Sequence, residues 1–260
     1  MKFVVKLGGA TLENPEILHQ CASAIAELVK DGNQVAVVHG GGLQLTRTLK
    51  QLGKQSEFVA GLRVTDAETR DAALMVLGGR VNKFLVASLG AHGQSAVGLS
   101  GGDGLIFRAR KKRTAPDLGY VGEIVASDPR WLETIWKMGS VPVISSMALG
   151  FDGEYYNVNA DEMAAACAAA CKADALVFLT DVPGVRDANG DVMRWLSVDQ
   201  ISALTKNEVI SGGMLPKLSA CREALLQGVK RVRILPADVA SVLPDLCTSR
   251  VVHGTEVLVA

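Results

Sequence analysis

Phe3-Val4-Val5-Lys6-Leu7-Gly8-Gly9-Ala10 is the stretch on which the rest of the chain depends. β-favouring residues run into paired glycines, and a helix-like segment with Pro15 in its first turn follows, so backbone N–H groups gather at a helix mouth as an anion site. Lys6 sits on the lip of that site. Taken alone, the octapeptide is no more than a solvated turn. A second run, Val35-Ala36-Val37-Val38-His39-Gly40-Gly41-Gly42, again joins an apolar strand to a helix-like segment. Two phosphate-type turns in one sheet imply one polyanion held between them.

At 260 residues the chain can bury a large core, either as one α/β domain or as two fused lobes. Lys plus Arg equals Asp plus Glu at 27 each, so no global field draws it to nucleic acid or to a membrane surface. An anionic ligand must be held locally. Met1 leads straight into the first strand with no basic and apolar leader, which predicts a cytoplasmic protein. The alanine-rich run from Met163 to Leu179 is interrupted by Lys172 and Asp174 and is not a membrane span. Cys167 and Cys171 lack the further His or Cys of a zinc site, so they read as buried free thiols and no metal ligand is named.

Ile17, Leu18, Cys21, Ile25, Leu28 and Val29 fall at helical spacing after Pro15, and Asp31-Gly32 stops the helix. A strand over 35–38 and a helix from Leu43 to Leu52 complete a βαβ unit with parallel strands. The stretch 56–66 alternates like one short extended element and carries Arg63 to a helix start capped by Thr65 or Asp66. That helix runs to Leu77, and a second follows from Val81 to Leu89. A strand over 95–99 precedes a hairpin over 105–126, whose tip Lys111-Lys112-Arg113 is basic but has no aromatic stacking platform, so it is a solvated tip. A helix opening at Asp128-Pro129 leads to the buried-type strand Val141–Ile144.

Asp152-Gly153 marks another hairpin, whose exit opens an alanine-rich helix. Asn157, Asn159 and Asp161 alternate, so on extended chain they share one face. At a helix start Asp161 is also dipole-stabilised and can orient an ammonium group. The strand Ala175–Leu179 ends in Thr180-Asp181-Val182-Pro183-Gly184-Val185-Arg186, and ligands of open α/β sheets lie beyond such carboxyl ends. A helix over 197–204 precedes Ser211-Gly212-Gly213-Met214-Leu215-Pro216-Lys217, which brings glycines and a lysine to a helix opening without the spacing of a Walker A loop. A strand over 231–235, a helix-like segment over 238–247 and an extended end over 256–259 finish the chain.

Lys6-Leu7-Gly8-Gly9, His39-Gly40-Gly41-Gly42, Gly61-Leu62-Arg63-Val64-Thr65, Asn157-Val158-Asn159-Ala160-Asp161, Thr180-Asp181-Val182-Pro183-Gly184-Val185 and Gly212-Gly213-Met214-Leu215-Pro216-Lys217, in that order, resemble the amino acid kinase family over nearly the whole chain. The resemblance implies a three-layer αβα sandwich around a mainly parallel central sheet. An N-terminal acid-binding and dimerisation lobe, 1–171, would precede a C-terminal ATP lobe, 172–260. It is similar above all to the members that phosphorylate the side-chain carboxylate of N-acetyl-L-glutamate in arginine biosynthesis.

Carboxylate attack on a γ-phosphoryl brings two anions together, so such an enzyme neutralises and positions them. By the resemblance, Lys6 would neutralise the transferring phosphoryl and Lys217 the leaving side, with Asp161 holding both ammonium groups. N–H groups of Gly9 and Gly41 would cradle the phosphoryl, and Gly8 and Gly42 would permit close approach. Arg63 would take the α-carboxylate as a fork and Asn157 the acylated amino acid. Thr180, Asp181, Gly184, Val185, Arg186, Val209, Ile210 and Ser211 would border adenine and ribose. Mg2+ would ride on the ATP phosphates.

The alternatives are a related kinase for a carrier-protein-linked aminoadipate or glutamate, and a catalytically silent amino-acid-sensing module. The chain start leaves no room for the N-terminal helix that resembles a ring linker in arginine-inhibited members. The expected assembly is therefore a homodimer, joined through N-lobe helices such as Asp66 to Leu77 and insensitive to arginine.

Overall fold

The computed structural model describes residues 1–206, 213–247 and 253–259. Its strands, in chain order, are β1 (Lys2–Leu7), β2 (Gln34–His39), β3 (Phe58–Val59), β4 (Leu62–Arg63), β5 (Ala96–Ser100), β6 (Phe107–Lys111), β7 (Val121–Ser127), β8 (Val141–Ser145), β9 (Met147–Gly150), β10 (Tyr155–Val158), β11 (Ala175–Thr180), β12 (Trp195–Ser197), β13 (Arg231–Pro236) and β14 (Thr255–Leu258). Eight form one sheet in the order β12-β14-β13-β11-β1-β2-β8-β5, parallel throughout except where β13 meets β14. β1 lies at its centre, with β2, β8 and β5 on one side and β11 to β14 on the other.

Strand alternation builds the three layers. Val4, Val38, Ile144, Leu176, Phe178 and Ile234 face one core, which is closed by Met163, Cys167, Leu218 and Cys221 of the helices Ala160–Ala170 and Met214–Leu226. Phe3, Val5, Val37, Val143, Val177 and Leu179 face the other, against Leu18, Ile25, Leu45, Leu77 and Leu85 of Pro15–Lys30, Gly42–Gln51 and Ala67–Ala91. Each such large apolar side chain contributes about 1.5–3 kcal/mol on full burial, which is why a sheet covered on both faces carries near-continuous apolar strands. The αβα expectation holds.

Four local readings change. The stretch 56–66 is a hairpin and not a single extended element: β3 and β4 pair antiparallel around Ala60 and Gly61, with φ of 49° and 79°. Two positive φ values give a turn that matches strand twist, and Ala60 hid it because alanine seldom adopts that conformation. The two helices expected on either side of 78–80 are one, Ala67–Ala91, whose Leu74–Val81 section is π-helical. Gly78 and Gly79 do not break it, because Val76, Leu77 and Val81 are buried on either side of them. This helix is long and apolar enough to cross a membrane, yet Ala72, Leu77, Leu85 and Leu89 face the protein core. Residues 237–247 form two 3-10 segments, Ala237–Val242 and Pro244–Cys247, where one helix-like segment was expected.

The tip of the 105–126 hairpin is exposed as expected, and most of its basic side chains have partners within the protein. β6 and β7 join β9 and β10 in a small closed barrel. Arg110 pairs with Glu123, Lys111 with Asp117, and Lys112 with Glu162, while Arg108 donates to the Leu149 and Gly150 carbonyls. Those charges are spent on the protein's own carboxylates and carbonyls.

Candidate active site

Lys6 shares strand parity with Val4, so its side chain leaves β1 toward the face covered by Ala160–Ala170. Asp161 opens that helix, and Lys217 lies in the first turn of Met214–Leu226, the helix packed beside it. Lys6 Nζ lies 2.7 Å from Asp161 Oδ1, and Lys217 Nζ lies 3.2 and 3.1 Å from Oδ1 and Oδ2. All three residues are buried. Asp161 is a helical residue and so does not share an extended face with Asn157. Asn159 is the cap, its Oδ1 accepting from the Asp161 and Glu162 N–H groups at 2.8 and 3.2 Å.

The trio holds two ammonium groups and one carboxylate. Burial would raise the Asp161 pKa, but Lys6 and Lys217 outweigh it and hold the carboxyl below its usual range. Lys6 goes the other way: burial lowers its pKa, and Asp161 offsets only part of that because Lys217 repels it. A buried cluster short of one negative charge is a receptor for an anion.

That shortage has a pH signature. Were Lys6 to serve a bound anion as a cation, that form would be lost as pH rises through its folded pKa, which burial holds below the ordinary lysine value. The alkaline limb of kcat/KM, which reports the free enzyme, therefore falls earlier than an unperturbed lysine would give. An anion held against Lys6 would raise its pKa, so the limb of kcat is expected at higher pH. A pH–rate series reading the same limb for both quantities removes Lys6 from the charge balance.

The two glycine turns meet as expected, since a Cβ on Gly9 would sit 4.0 Å from the Gly42 nitrogen. Gly8 answers to a different constraint: its N–H donates to Leu179 O at 2.9 Å, and a Cβ there would stand 3.1 Å from the same oxygen. It is needed for contact with β11. Gly41, at φ 146°, precedes the helix Gly42–Gln51, whose first N–H groups have no partner within the helix.

A cavity of about 170 Å³ opens beside these turns, lined among others by Gly41, Gly42, Phe58, Arg63, Leu77 and Asn157. Arg63 Nη2 donates to Gly42 O at 2.9 Å and Thr46 Oγ1 at 2.8 Å, and Nη1 donates to Ser56 Oγ. Three of its five guanidinium donors are engaged among the described residues, both of those on Nη2 included. Thr65, expected only as a possible helix cap, is fully buried and joins the two cavity residues: its Oγ1 donates to Arg63 O at 2.8 Å and accepts from Asn157 Nδ2 at 3.3 Å. Asp66 is the cap, accepting from Thr69 N–H at 2.9 Å.

A second cavity, about 510 Å³, is lined by Ala10, Thr11, Thr180, Asp181, Pro183 and residues 236–239. Thr180 and Asp181 are thus brought together at the end of β11. Gly184, Val185 and Arg186 do not line it: Gly184 packs on Thr255 and Val192, Val185 is buried with its N–H on Thr255 Oγ1, and Arg186 turns back to the Gly190 carbonyl. Val209, Ile210 and Ser211 lie outside the described residues.

The amino acid kinase family model matches residues 1–236. The chain is 82% identical over 258 residues to a protein named acetylglutamate kinase from Acidobacterium capsulatum, covering 99% of each. To one of the same name from Koribacter versatilis it is 57% identical, again over 99% of each. Among solved structures it resembles N-acetylglutamate synthase from Neisseria gonorrhoeae complexed with coenzyme A and N-acetyl-glutamate, with a TM-score of 0.87 at 25% identity over 100% of this chain and 59% of that one. Sheet order, paired glycine turns and a family match over residues 1–236 agree, and the chain belongs to the amino acid kinase family.

Proposed function

We propose that the chain transfers the γ-phosphoryl of ATP to the side-chain carboxylate of N-acetyl-L-glutamate, giving N-acetyl-L-glutamyl 5-phosphate in arginine biosynthesis. The observation that carries this reading is the buried Lys6–Asp161–Lys217 cluster with its uncompensated positive charge. The cavity of Arg63 and Asn157 reaches Ala160, next to Asp161, and the Asp181 charge on the other cavity is felt by Lys6. The names of the relatives at 82% and 57% identity support the substrate.

In this reading Arg63 takes the α-carboxylate as a fork, exchanging one of its present Nη2 bonds for the ligand, and Asn157 takes the acylated amino group. The side-chain carboxylate then points at the γ-phosphoryl, seated between the Gly9 and Gly41 N–H groups. Lys6 neutralises the transferring group and Lys217 the leaving side, so the attacking anion meets a screened phosphorus. Mg2+ comes on the nucleotide phosphates. Among the described residues no group of three or more His, Cys, Asp or Glu stands ready for an ion, so no protein ligand is assigned to it.

ATP-dependent hydroxamate formation with free N-acetyl-L-glutamate in hydroxylamine tests the reading, and product formed only with a carrier-bound acid overturns it. Arg108, Arg110, Lys111 and Lys112 each have a partner within the protein. Arg63→Lys keeps a charge but loses the planar fork, so KM for the acylated acid rises about tenfold and KM for ATP stays within about twofold. The opposite pattern takes Arg63 out of the acid site.

The reading assigns residues 1–171 to the acid and 172–260 to the nucleotide, in a cytoplasmic homodimer that arginine does not inhibit. Met75 and Phe84, exposed on Ala67–Ala91, suit a joint between two copies of that helix. Light scattering at the mass of a hexamer contradicts this assembly.

A further inference from the structure

His39 and Asn82 are fully buried polar residues that line neither cavity described above. His39 shares strand parity with Val35 and Val37, so it leaves β2 on the face opposite Lys6, where Ala67–Ala91 packs. Asn82 sits in that helix just after its π-helical section. Its Nδ2 lies 2.9 Å from Val143 O, 3.2 Å from Leu99 O and 3.0 Å from His39 Nε2, and its Oδ1 accepts from Lys83 Nζ at 3.1 Å.

Two carbonyl oxygens around one end of the amide fix which end is nitrogen, because a rotated amide would set Oδ1 against both. The amide nitrogen has two protons to share among these three acceptors and no lone pair to offer a protonated Nε2, so the ring proton is on Nδ1. Nδ1–H donates to Gly40 O at 2.7 Å. Burial pushes the imidazole down to about 4, against the pull of the Gly40 carbonyl and with Lys83 adding to the fall, so the ring is neutral at working pH.

In a trans peptide the carbonyl oxygen and the following N–H point in opposite directions. Holding Gly40 O inward therefore turns the Gly41 N–H outward, toward the cavity. Leu77 and Val81 press on the same residue, since a Cβ on Gly41 would meet them at 2.8 and 3.1 Å.

We infer that Asn82 and His39 are positioning residues for phosphoryl transfer: Asn82 fixes the His39 tautomer, and His39 anchors the Gly40 carbonyl so that the Gly41 N–H faces the transferring group. The inference rests on the reading above that Gly41 cradles the phosphoryl.

Nitrogen-15 NMR of the whole protein reads the tautomer, and steady-state kinetics read the consequence. In the wild type His39 carries its proton on Nδ1, and Asn82→Leu mixes both tautomers. His39→Phe lowers kcat about 10- to 100-fold, up to the loss of one oxyanion donor, with KM for either substrate within about threefold. His39→Asn, which keeps a donor near the Nδ1 position, restores most of kcat. Asn82→Leu loses kcat like His39→Phe, and the double variant is no worse than the poorer single one, as for residues acting through one route. A wild-type proton on Nε2, an Asn82→Leu enzyme of undiminished kcat, or losses that simply add overturns the relay. The wild-type NMR measurement needs no variant to fold. A wild type inert toward N-acetyl-L-glutamate overturns the substrate reading instead, and the tautomer result still decides whether Asn82 orders His39.

Discussion

Lys217→Ala lowers kcat by about 10²- to 10³-fold, the scale of losing one preorganised transition-state donor, while the protein stays folded. The variant leaves Lys6 and Asp161 as a neutral buried pair, so the excess positive charge disappears along with the cation at the leaving side. Desolvation therefore costs the folded state less than before, which offsets the packing lost where the lysine runs along Phe178. Thermal unfolding checks the second half, and single-turnover kinetics check the first. Turnover within a few-fold of wild type would remove Lys217 from the chemistry.

Asp161→Asn is expected to lose both rate and stability, and the contrast with Lys217→Ala tests the charge balance. Removing one partner of a buried ion pair costs about 3–5 kcal/mol, and here the loss leaves two ammonium groups facing each other. Lys6, already disposed to release its proton by burial, then deprotonates to limit that cost. The site thus loses an anchor and a cation together, and kcat falls by at least about 10²-fold. A variant with a wild-type Tm would show that the carboxylate is not what holds the two lysines.

The meeting of Lys6, Asp161 and Lys217 was legible through the resemblance alone, since chain geometry put Lys6 at a strand end before glycines, Asp161 at a helix start and Lys217 near a helix opening without saying that the three touch. Arg63 was legible as a residue just before a helix, but its hairpin was not, because Ala60 takes a positive φ that sequence patterns assign to Asn or Gly. Thr65 was read only as a possible cap. Its hydroxyl bridge to Asn157 spans 92 positions, which no local pattern reports. The signal for Asn82 was present: an amide in an apolar helical stretch must find partners when buried. Gly184, Val185 and Arg186 lie away from the cavity that Thr180 and Asp181 line, because a motif places its loop beyond a strand without saying which side chains of that loop turn inward.

The central place of β1 has a consequence for how the molecule is made. β1 gains β2 as a neighbour after the single α-helix Pro15–Lys30, but Lys2 meets Asp174 across 172 positions of chain, and until β11 arrives the other edge of β1 stays unpaired. Loop closure over that distance comes late, so the sheet folds slowly for its size. In the interval an apolar strand with an open edge is a template for the wrong partner, whether another chain or a misregistered strand of its own. The strand that carries Lys6 is thus the one most dependent on rapid completion of the chain.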